Sequence, residues 1–250
     1  MRGTCQGGYD PINNHLGYQY LATNLASWGY IVVSINTNRG INGLVGPSLN
    51  AAGVDNHAGL YNADINLSRY DPRLILTRGR LVLRHLQKLS EWNANGGTPS
   101  TVGVSLQGKL DFSNIGLMGH SRGGEGIRAA YNLYRGSGSP WQTRILSPLT
   151  FKGIFEISPT DGAADRILEA DSLPWNVILP MCDGDVIRLP CVHPFDRLLR
   201  IVSAPVTQYS ENPKTQKSTF NVWGANHNFY NTEWQTTDST GCIDQIPLFS

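Results

Sequence analysis

A chain of 250 residues, 40% of them apolar, is long enough to bury one substantial core, and α/β folds of this size commonly stay undivided, so a single domain over residues 1–250 is expected. Twenty basic residues against nineteen acidic ones, with no long run of either sign, exclude the phosphate-neutralising surface of a nucleic-acid binder. The longest apolar runs, 31–33 and 175–181, fall far short of the roughly 20 residues that span a bilayer, so no membrane span is expected.

Residues 1–8 are polar and glycine-rich and lack the apolar core of a secretory signal, which leaves a cytosolic chain or one whose signal has been removed. Abundant Asn, Ser, Thr, Gly and Trp with few Lys lean towards an extracellular protein. Cys5, Cys182, Cys191 and Cys242 are even in number but have no C-x-x-C spacing. Zinc is therefore not expected, and disulfides in any pairing stand beside ordinary free thiols.

In chain order, residues 16–28 place Tyr18, Leu21, Ala22 and Leu25 at helical spacing, and Gly29 stands where a helix needs a left-handed residue to stop. The β-branched run 30–35 predicts a buried parallel strand. An Asn- and Gly-rich excursion over 36–70 follows, of a length that is often functional. Asp71-Pro72 reads as a helix opening, with Leu74, Leu81, Val82, Leu86 and Leu89 as the buried stripe behind it. A polar connection, 93–109, leads to an apolar strand at 115–118, a helix at 122–134, and further strands at 151–157, 175–181 and 218–223. Pro180 would remove a ladder donor and belongs near a strand end. Strands alternating with helices predict an α/β fold: a mostly parallel sheet with helices on both faces.

The chemistry concentrates at Gly119-His120-Ser121-Arg122-Gly123, a G-x-S-x-G motif set between an apolar strand and a helix. That sharp turn forces the serine into a strained backbone conformation and lifts it towards substrate, with Gly119 and Gly123 letting the chain pass closely. The Arg122 backbone N–H, at the helix start, is expected to donate to the oxyanion formed when Ser121 attacks a carbonyl. His120 is expected to be a packing or pocket residue, because neighbours on such a turn point apart. Arg122 and Glu125, three apart on the helix, are expected to pair.

A serine hydroxyl needs a base, and the triad order served by this motif is Ser, then an acid, then His. Two histidines follow Ser121. His227, just past the last predicted strand, suits a base better than His193, which precedes an apolar helix-like segment. Asp185 is the preferred acid, followed by Asp183 and then Asp161. Asp183, Asp185, Cys191, His193 and Asp196 form a local cluster, but its spacing fits neither a calcium loop nor a zinc pattern, and no metal or other cofactor is implied.

With these motifs in place, the chain resembles the α/β-hydrolase superfamily over nearly its whole length. Residues 25–33 followed by Asn36-Thr37-Asn38 are similar to the helix and strand of the dienelactone-hydrolase and polyester-degrading cutinase branches, and residues 116–126 look closer still to bacterial, often secreted, hydrolases. The resemblance implies Ser121, Asp185 and His227 as a triad. It also implies an N-terminally truncated domain. Members normally begin with additional strands ending in a His-Gly loop that supplies the second oxyanion donor, and Gly3-Thr4-Cys5 is similar to the tail of that loop. Where the polyester-degrading branch would carry an aromatic substrate clamp, after Ile157, Pro159-Thr160-Asp161 stands instead.

The expected activity is hydrolysis of small-molecule or polymeric carboxylic esters through an acyl-enzyme, with an amidase or peptidase, or an inactive binding module, as the alternatives. Self-association through an uncovered edge at 30–35 is a further expectation.

Overall fold

The structure, a computed structural model, describes residues 13–37, 74–164, 168–170, 172–186, 192–193 and 215–234. Its centre is a four-stranded, all-parallel sheet in the order β1 (Ile115–His120), β2 (Phe151–Ile157), β3 (Trp175–Pro180), β4 (Lys217–Val222). Each strand falls where an apolar or β-branched run predicts it, and Pro180 is the last residue of β3, where its missing N–H costs least. The registers Leu117↔Ile154, Ile157↔Ile178 and Pro180↔Val222 bring the carboxyl ends of the strands to one edge. In open parallel sheets that edge is where ligands bind.

Helix α1 (Gln19–Ser27) ends as expected, with Gly29 at φ 89°. Helix α2 (Ile75–Asn95) opens later than Asp71-Pro72 predicts: its N-cap is Leu74, left-handed at φ 59°. Leu74 is buried there, packed with Leu81 and Ile35. Asp71 and Pro72 lie outside the described residues. Helix α3 (Arg122–Arg135) follows β1 directly, and the short α4 (Trp141–Arg144) places Trp141 in the core.

Helix α3 packs on β1 and β2, and α2 packs chiefly on α3. The two helices approach closely at Gly79, where a Cβ would stand 2.7 Å from the Ala130 backbone nitrogen. The main core gathers Leu83, Leu117, Ile127, Tyr131, Ile154, Trp175 and Val177 between helices and sheet. Each such side chain contributes about 1.5–3 kcal/mol of transfer free energy.

The predicted strand at 30–35 is not formed. Residues 30–37 belong to no strand, and Tyr30 and Ile31 are 60% and 55% exposed. A β-branched run becomes a strand only when a ladder partner satisfies its backbone, and no described strand pairs with this one. The sheet edge expected there for self-association is therefore absent. Among the described residues no helix is long and apolar enough to cross a membrane.

Candidate active site

Ser121 occupies the turn between β1 and α3 at φ 57°, ψ −131°, a region that side-chain-bearing residues seldom adopt. Three backbone hydrogen bonds hold it there. Its N–H donates to Ile157 O at 2.9 Å, and its carbonyl accepts from Gly124 N at 2.9 Å and Thr160 N at 3.2 Å. The close approaches are at Gly119, where a side chain would meet the Gly123 carbonyl and Gly124 N, and at Gly124, where it would stand 2.5 Å from Pro159 Cβ. Gly123 faces open space, so Gly124 takes the steric role expected of it: the turn closes against the first turn of α3 at Gly119 and against the loop leaving β2 at Gly124. Arg122 is the first residue of α3, at the expected place for an oxyanion donor.

His227 follows β4 through a turn at Gly224 (φ 73°) and opens a short 3-10 turn, His227–Tyr230. Buried Asn226 caps that turn, its side chain accepting from Asn228 N and Phe229 N, so the imidazole is fixed in a buried position. The loop after β3 is tied to the same turn by Cys182 N donating to Ala225 O at 3.0 Å. Cys182 is disulfide-bonded, which removes it from the free-thiol alternative; its partner cysteine lies outside the described residues.

The acid beside the imidazole Nδ1 is Asp183, whose Oδ2 lies 2.9 Å away, and not the preferred Asp185. The local turn explains this correction. Asp183 Oδ1 accepts from Asp185 N at 3.0 Å and Val186 N at 2.7 Å, folding its carboxylate back over its own backbone and into the protein. Asp185 is thrown outward: its side chain is 65% exposed, with Oδ2 3.4 Å from the other imidazole nitrogen, Nε2. Burial alone would push the Asp183 carboxyl up. The hydrogen bond and charge of His227, the Ser158 hydroxyl and the Val186 N–H outweigh it and hold the carboxyl below the usual aspartate range.

The third acid, Asp161, belongs to a different cluster. Buried Arg128 donates to Glu156 at 2.8 Å, Asp161 at 3.0 Å, Leu168 O at 3.0 Å and Thr160 O at 2.8 Å. Glu125 accepts from the Thr160 hydroxyl at 2.7 Å and Ala164 N at 3.1 Å, so it fastens the loop after β2 and does not pair with Arg122. His193 is exposed, whereas Cys191 and Asp196 of the same sequence cluster lie outside the described residues.

An aromatic wall completes the site. The His120 ring lies 4.7 Å from that of His227 and 4.9 Å from that of Trp234, and Trp234 stacks parallel to His227 at 5.9 Å. The Tyr18 hydroxyl meets His120 Nδ1 at 2.7 Å. Burial, reinforced by the neighbouring His227 charge, drives the His120 basicity well down, so the ring stays neutral where it packs in this wall. Residues 14–18 are stitched to 231–234 by Asn231 Nδ2 donating to Asn14 O, Thr232 N to Gly17 O and Trp234 Nε1 to Asn14.

Sequence reasoning missed Trp234 and Ser158. A tryptophan in the polar stretch just beyond His227, and a serine directly after the strand beside that of Ser121, were the available signals. No protein-family model matches the chain, and no curated protein matches it.

Proposed function

We propose that this chain is a serine hydrolase of the α/β-hydrolase type that cleaves carboxylic esters through an acyl-enzyme, with Ser121 as nucleophile, His227 as base and Asp183 as acid. One observation carries the reading. A strained serine on a strand-to-helix turn and a buried Asp–His pair stand at the same edge of one parallel sheet. The neighbour of Ser121, His120, bridges the two, its ring in contact with that of His227.

Asp183 accepts the Nδ1 proton of His227, which leaves the Nε2 lone pair to take the Ser121 hydroxyl proton as Oγ attacks the ester carbonyl. The tetrahedral oxyanion is stabilised by the Arg122 N–H at the positive end of α3. His227 then returns the proton to the departing alkoxide, and the alcohol leaves. Water, deprotonated by the same imidazole, attacks the acyl-enzyme, releasing the carboxylic acid and restoring Ser121. The Cys182 disulfide supports an oxidising, extracellular setting.

The test is a pre-steady-state burst of nitrophenol from a short-chain nitrophenyl ester. The expected result is a burst in the wild type that is absent in Ser121→Ala; a wild type without turnover would leave an inactive module.

A further inference from the structure

Ser158 directly follows β2 in a conformation that serine seldom takes. Its φ is 42°, its side chain is fully buried, and its backbone N–H is committed to Ile178 O at 2.9 Å. Glycine would adopt this geometry without a steric cost, yet a hydroxyl is present. That hydroxyl donates to Asp183 Oδ2 and stands 3.0 Å from His227 Nδ1. Because its own proton goes to the carboxylate, its lone pairs face the Nδ1 proton.

We propose that Ser158 is a positioning residue of the triad, its hydroxyl bridging the Asp183 carboxylate and the His227 imidazole so that the Nδ1 proton is shared between two acceptors and the ring cannot turn. This role rests on the proposed hydrolase reading. With it, the polar contacts of the Asp183 carboxylate converge: Oδ1 on two backbone N–H groups, Oδ2 on Ser158 and His227. The carboxylate then stays ionised and fixed although it is out of water, and the imidazole keeps the tautomer that leaves Nε2 ready to accept the Ser121 proton. The strained backbone is the cost of delivering a hydroxyl where the chain itself would prefer none.

The substitution that separates this role from a structural one is Ser158→Gly, which relieves the backbone while removing the hydroxyl. Its melting temperature should match or exceed the wild type. Its kcat/KM on a nitrophenyl ester should fall about 10- to 100-fold, the span of one hydrogen bond to a charged group. The acid limb of its pH–rate profile, which reports the base His227, should move to higher pH, because an Asp183 carboxylate that has lost one donor stabilises the protonated imidazole more strongly. Ser158→Ala, which keeps the strained backbone, should show the same kinetic loss without the gain in stability. Wild-type kcat/KM with an unmoved acid limb in Ser158→Gly would overturn the proposal. Should the wild type hydrolyse nothing, the functional reading fails separately, and the proton NMR resonance of His227 Nδ1–H decides the contact. It should shift in Ser158→Gly; an unchanged resonance would sink the bridge.

Discussion

Two buried polar clusters lie on either side of the loop that leaves β2, and they are built for opposite ends. Behind it, Arg128 is enclosed by Glu156, Asp161 and two carbonyls, with Glu125 bonded to the same loop. In front of it, Asp183, Ser158 and His227 share a few hydrogen bonds at the sheet's carboxyl edge. Burial weakens the hold of Arg128 on its proton, but the charges of Glu156, Asp161 and Glu125 reverse that, so the guanidinium keeps its charge at any accessible pH. That cluster can only hold. The front cluster contains an imidazole, the side chain suited to passing a proton between partners. Thr160 joins the two, donating its N–H to Ser121 O and its hydroxyl to Glu125.

If this division is right, substitutions in front should remove activity and spare the fold, and those behind should do the reverse. The largest effect is expected for Asp183→Asn, a loss of about 10⁴-fold in kcat with little change in melting temperature. Asp185→Asn, altering an exposed carboxylate, should cost less than about tenfold. A larger loss for Asp185→Asn in the same assay would return the acid to Asp185.

Arg128→Ala comes next. It leaves Glu156 and Asp161 buried without their cation, and should destabilise the fold by about 3–5 kcal/mol in urea unfolding. Any activity loss should follow the folded fraction.

Reducing the Cys182 disulfide should cost about 2–4 kcal/mol and weaken the loop that carries Asp183, read as a lower melting temperature in dithiothreitol.

The smallest effect is a pH dependence of stability. Folded His120 stays neutral well below the ordinary histidine range, whereas the unfolded chain binds a proton there. Stability should therefore be fully present above about pH 6.5 and decline below it, by up to about 1.4 kcal/mol per pH unit, until the folded ring also protonates. His120→Gln should flatten that slope. Asp183 acts at lower pH with a shift of the same sign. Its depressed folded value gives stability that is present above about pH 3.9 and lost as pH falls through the folded value.

The four strands and α3 were legible because each is a short apolar or helix-periodic run whose partners are local in the fold. Residues 30–35 carry the same composition and fail as a strand, since composition does not state whether a ladder partner is present. The strained turn at Ser121 and the place of His227 beyond the last strand were legible from motif and order. The carboxylate that meets His227 Nδ1 was not, because Asp183 and Asp185 are two residues apart and only the turn decides between them, through N–H groups that point the first inward. Asp-Gly-Asp-Val carries that turn as a pattern, an aspartate accepting from the two backbone N–H groups beyond its glycine. The pairing of Glu125 with Thr160 and of Trp234 with residues 14–18 joins distant parts of the chain, which periodicity cannot show.

The central claim is that Ser121 is an activated nucleophile, and the most direct measurement is labelling of the intact protein with a fluorophosphonate followed by peptide mass mapping. A single adduct on Ser121, lost in Ser121→Ala and formed more slowly in Asp183→Asn, is the predicted result. Labelling that persists in Ser121→Ala, or an unlabelled wild type, would contradict it.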